Sequence, residues 1–96
     1  MIQEVTVTSE TEVDLKPLLQ SAVRTEVRML ELELNRTRRL LQSFEQEHGM
    51  TTEEFERRFE SGELERTPKF IEWSIEFRTH RRLEVQQQTL QNVRII

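Results

Sequence analysis

From Leu18 to His48 the chain contains neither glycine nor proline, and Gly49 ends the run. A helix of ~30 residues rises ~45 Å at 1.5 Å per residue, longer than a small globule is wide. Such an element has to be the arm of a hairpin or one strand of a coiled coil. The helical pattern sets in near Val13, and Pro17 fits it only in the first turn, so the helix is expected over about 16–47.

The remaining stop and start signals divide the rest of the chain. Thr51-Thr52-Glu53-Glu54 has the form of a capping box, in which the threonine hydroxyl and the glutamate carboxylate each satisfy a free backbone amide. It predicts a short helix over about 52–60, closed by Ser61-Gly62. Thr67-Pro68 is a cap followed by proline at the first helical position, opening a third helix over about 68–92. Residues 1–12 read as an N-terminal arm or short strand, on the β-branched run Ile2 to Thr8, and the tail Val93-Arg94-Ile95-Ile96 as a second strand. The expected fold class is therefore all-α: residues 13–96 form an antiparallel hairpin of two long helices joined by a short one. Both candidate strands then lie at one end, positioned to pair with each other or with those of a second subunit. Two strands alone are marginal in water.

The first helix carries apolar residues on two sides. Val23, Val27, Leu30, Leu34, Leu41 and Phe44 keep a three-four spacing, with Thr37 in the same stripe, and form a packing seam. Leu18, Ala22, Met29, Leu32 and Leu40 fall roughly opposite when each residue is turned by about 100°. One stripe can cover the third helix, through Phe70, Trp73 and Phe77, while Phe55 and Phe59 lock the tip. The other stripe asks for a second surface, a symmetry mate or a partner protein, unless the short helix and the termini cover it. The seam also holds charges. Glu26, Glu33, Arg36 and Glu76 are placed to form ion pairs across the hairpin, such as Arg36 with Glu76, which would favour one register; the plainer reading is that they snorkel outwards.

Only 34% of the residues are hydrophobic and 33% are charged, so a monomer's core has to be thin and a homo-oligomer, a dimer first, is expected. The net charge of −4 argues against general nucleic-acid affinity, leaving at most an autoregulatory contact through the arginine groups at 36–39, 57–58 and 78–82. No apolar run approaches the ~20 residues that cross a bilayer, and the chain has no cysteine, which together suggest a cytoplasmic protein. Two histidines, His48 and His80, without cysteine or ligand spacing give a zinc site little to work with, and two glycines make no phosphate loop. The carboxylates have no recognisable catalytic context. The expectation is a non-enzymatic protein with no cofactor and no metal.

Several stretches have a further likeness. Lys16-Pro17-Leu18-Leu19, the run Glu26 to Arg39 (Glu-Val-Arg-Met-Leu-Glu-Leu-Glu-Leu-Asn-Arg-Thr-Arg-Arg) and His48-Gly49-Met50-Thr51-Thr52-Glu53-Glu54-Phe55 carry it first. Arg58-Phe59, Gly62-Glu63-Leu64 and Phe70-Ile71-Glu72-Trp73 extend it, over about residues 16–90. Together they resemble a family of small prokaryotic helical proteins often encoded beside a toxin-like gene, with His48 where that family has tyrosine. The resemblance implies an antitoxin-like role, in which the chain sequesters a cognate toxin protein. It implies no catalytic residue. A structural homodimer and a DNA-binding regulator stand as the alternatives.

Overall fold

A computed structural model describes residues 2–8 and 14–96. It is mostly helical, with two long helices and a short one between them: α1 (Leu15–His48), α2 (Thr52–Glu60) and α3 (Pro68–Gln91). Two short strands, β1 (Gln3–Val5) and β2 (Val93–Ile95), complete the element order β1-α1-α2-α3-β2. The expected boundary between arm and hairpin, at residues 12 and 13, lies outside the described residues.

Each helix begins and ends where local chemistry allows. Asp14 caps α1 by accepting from the Lys16 amide at 3.1 Å, and Pro17 lies in the first turn, where no intrahelical donor is lost. The helix stops at Gly49, whose φ of 65° is left-handed and whose amide donates to the Glu45 carbonyl at 2.8 Å. Thr51 accepts from the Glu54 amide at 3.2 Å to open α2, one half of the expected capping box. In place of the other half, the Glu54 carboxylate takes Arg58 at 2.8 Å, one turn further along. A charged donor at i+4 makes the stronger bond than a neutral amide. Thr67 accepts from the Phe70 amide at 3.2 Å, with Pro68 at the first position of α3.

α1 and α3 are antiparallel, as the cross-hairpin contacts Val27 with Gln87, Thr37 with His80 and Glu47 with Lys69 require. The hairpin measures 60 × 22 × 19 Å, with a radius of gyration of 18.7 Å against about 13 Å for a compact domain of this length. A rod this thin cannot hold one central core. The buried side chains instead form two groups: Leu41, Phe44, Phe55, Phe59 and Trp73 at the tip, and Leu30, Leu34 and Leu83 below, with Leu90 packed against them.

β1 pairs with β2 in parallel, Gln3 opposite Val93, Glu4 opposite Arg94 and Val5 opposite Ile95.

Candidate interaction surfaces

At the tip the aromatic side chains are stacked. Trp73 is wholly buried between Phe55, 3.9 Å away with rings 5° from parallel, and Phe44, 5.4 Å away and 9° from parallel. His48 stacks on Trp73 at 5.5 Å, and Phe59 on Phe55 at 5.3 Å. The indole N–H, which would be costly to bury alone, donates to the Thr52 hydroxyl at 3.1 Å. The Thr52 amide in turn donates to the Glu45 carboxylate at 2.7 Å. The chain Glu45–Thr52–Trp73 thus ties all three helices together. Phe70 and Phe77 are half-buried at the edge of this cluster.

Midway along the hairpin, Thr37 is 0% exposed and its hydroxyl lies 3.0 Å from the Leu34 carbonyl and 2.6 Å from His80 Nδ1. The hydroxyl has one hydrogen; when Leu34 accepts it, the ring has to donate from Nδ1. His80 Nε2 stands 3.7 Å from Glu84. Hydroxyl, imidazole and carboxylate in a row have the connectivity of a nucleophile–base–acid relay. The burial of Thr37 removes that possibility at this position, because no substrate atom can approach its oxygen. The row pins the register of α1 against α3.

Arg36 and Glu76 stand 3.9 Å apart across the hairpin, with Arg36 largely exposed. Glu26 and Glu33 lie exposed on α1 outside the seam and make no ion pair among the described residues. At 3.6 residues per turn they fall between the two apolar stripes. Val23 and Val27 are half-buried, and Leu30, Leu34, Leu41 and Phe44 fully buried, so the seam tightens towards the tip.

Two polar groups at the tip had no sequence signal. Ser74 is buried and donates to Glu56 at 3.2 Å while accepting from Arg78 at 3.0 Å. Burial holds the Glu56 carboxyl above its ordinary range, against the lowering effect of the Ser74 hydroxyl, and one carboxylate oxygen is buried without a partner. A serine on an otherwise apolar face, with an arginine four residues on, is too common a pattern to single out. Near the turn, Glu47 is held below its ordinary range by the Lys69 ammonium that donates to it.

The outward surfaces are less finished. On α1, Leu18, Met29 and Leu32 are 59%, 52% and 66% exposed, on the side facing away from α3. On α3, Ile71, Ile75 and Val85 are also exposed. At the base, α1, α3 and β2 enclose a groove of about 710 Å³ with Val23, Val27, Leu90 and Ile95 among its lining. Lys16, Arg24, Arg28 and Arg94 surround it, no carboxylate lines it among the described residues, and Arg94 lies 3.6 Å from Glu4. Among the described residues no three His, Cys, Asp or Glu side chains are placed to hold a metal ion, and no helix is long and apolar enough to cross a membrane. No protein-family model matches the chain, and neither does any curated protein or solved structure.

Proposed function

We propose that the chain is a protein-interaction module that acts by binding and occluding a partner protein, in the manner of an antitoxin. The observation that carries this reading is the outer face of α1, where Leu18, Met29 and Leu32 stay exposed although the hairpin itself is well packed. Contiguous apolar surface on a small, highly charged chain is usually a contact surface. The outward side chains Ile71, Ile75 and Val85 of α3 extend the argument to the second arm. The likeness of residues 16–90 to antitoxin-like proteins supplies the kind of partner.

The test is expression of the product encoded by the adjacent gene, alone and together with this chain. Growth arrest by that product, relief by this chain, and a single complex by size exclusion would support occlusion. A product that is harmless, or whose effect persists with no complex formed, would refute it.

A second reading, regulation of the protein's own promoter, is favoured by Lys16, Arg24 and Arg28 at the base groove, beside an Arg94 that is paired with Glu4. It requires a shift of that promoter DNA at low salt that fades steeply as salt rises.

A further inference from the structure

Leu18, Ala22, Thr25, Met29 and Leu32 follow one another at alternating steps of four and three. The buried seam Val27, Leu30, Leu34, Thr37, Leu41 and Phe44 keeps the same steps on the other side of the helix. A 3.5-residue period holds a stripe in line only when the helix wraps around another helix. α3 packs against the inner series and leaves Leu18, Met29 and Leu32 of the outer one exposed. The next two positions of the outer series are Arg36 and Arg39, so its continuous apolar run lies on the lower half of α1, with Leu40 alone exposed above it.

The residues beside the stripe distinguish between possible occupants. Arg28 flanks it on one side, Glu26 and Glu33 on the other, and all three are exposed. In a parallel, in-register pair each flanking residue faces the one five positions further along the other helix. Arg28 then meets Glu33 of the partner subunit, and symmetry repeats the pair. Antiparallel packing centred on Thr25 would set Glu26 against its own copy, a like-charge contact. Neither Arg28 nor Glu33 is engaged in an ion pair among the described residues.

We propose that the lower outer stripe of α1 is covered by the same stripe of a second copy of this chain, parallel and in register, with Arg28 and Glu33 paired reciprocally across the seam. Both bases, with their basic grooves, then lie side by side at one end, and the outer face of α3 stays free for another protein. The inference uses the same exposed residues, Leu18, Met29 and Leu32, that carry the interaction-module reading, and it therefore moves the surface for another protein to Ile71, Ile75 and Val85 of α3.

The experiment is light scattering after size exclusion, over a range of protein concentrations, on the full chain and on variants. The expected result is a dimer whose dissociation concentration rises roughly tenfold or more in Leu32→Glu, with helicity by circular dichroism unchanged because Leu32 lies outside the hairpin seam. Arg28→Glu and Glu33→Arg should each weaken the dimer, and the double exchange should restore it. The chain has no cysteine, so Ala22→Cys introduces a single thiol; under oxidation it should form an intermolecular disulfide, which antiparallel packing would prevent. A monomer up to about 100 μM, a dimer indifferent to Leu32→Glu, or a dimer in which Ala22→Cys does not cross-link would each overturn the proposal. A parallel dimer that ignores the product of the adjacent gene would sink the occlusion reading and leave this one standing.

Discussion

Replacing Phe55 by alanine should destabilise the hairpin by about 3–5 kcal/mol, the cost usual for removing a fully buried phenylalanine. Phe55 is 0% exposed, and its ring fills the space between Trp73 at 3.9 Å and Phe59 at 5.3 Å, with Phe70 at 5.4 Å. The rings of Trp73, Phe59 and Phe70 lose their stacking partner, and lost stacking adds about 0.5–1.5 kcal/mol. A domain of this length has a total stability of about 5–14 kcal/mol, so the variant should lie near the edge of unfolding. At 4–8 °C per kcal/mol the midpoint should fall by roughly 12–40 °C. Trp73 is the sole tryptophan and sits in the tip, so its fluorescence reports that cluster, while circular dichroism at 222 nm reports both long helices. Because the tip packs the upper halves of α1 and α3 against each other, both signals should move together. A circular-dichroism midpoint that falls by less than about 5 °C would refute the reasoning that the tip cluster holds the hairpin closed.

Thr37→Val keeps the side chain's shape and removes the hydroxyl that His80 and Leu34 share, so it should cost about 1–3 kcal/mol in urea unfolding; a change within error would show that the register is held elsewhere. Gly49→Ala meets no neighbouring atom but must adopt a φ of 65°, and should cost about 1–2 kcal/mol, with Gly49→Asn milder. The pH dependence from Glu56 has a definite sign. Its carboxyl is raised in the folded state, so the folded state favours the protonated form, and the stability from that form is full below the unfolded value of 4.5 and lost as pH rises through the higher folded value. Glu56→Gln should therefore raise the midpoint at pH 7 and flatten its rise on acidification, provided the amide oxygen still accepts from Ser74; a lower midpoint at pH 7 would show the charge to be favourable.

The helix ends were the most legible part of the fold, because each is decided by a few adjacent residues. Thr51 and Thr67 cap and Gly49 stops as their motifs imply, and α1 at Leu15–His48 differs from the expected 16–47 by one residue at each end, its cap Asp14 having been passed over in favour of Pro17 as the start signal. Glu54 shows the limit of such reading: the motif matches, but Arg58 competes for the carboxylate and takes it. The polar contacts at the seam were legible only in part. Thr37 could be assigned to the buried stripe from spacing, yet its partner His80 is 43 residues away and becomes a neighbour only once the register is set. The same holds for Ser74 with Glu56 and for Trp73 with Thr52. The direction of strand pairing was beyond local signals, since neither three-residue strand carries a turn or register motif that fixes it.

The pairing of β1 with β2 has a consequence for the order in which the molecule assembles. Residues 3–5 and 93–95 are almost the whole chain apart, a closure that would cost an unfolded polymer about 4 kcal/mol of entropy. Once α3 has docked on α1, Gln91 lies beside the lower end of α1, and the loop still to be closed shrinks to the few residues between Val5 and Leu15. The strands therefore form last, as a latch closing on a finished hairpin. They add little to the barrier for folding and open first in reverse, so the amides of Val7 and Ile96, which donate across the pair, should exchange with solvent long before those of Leu34 or Phe44.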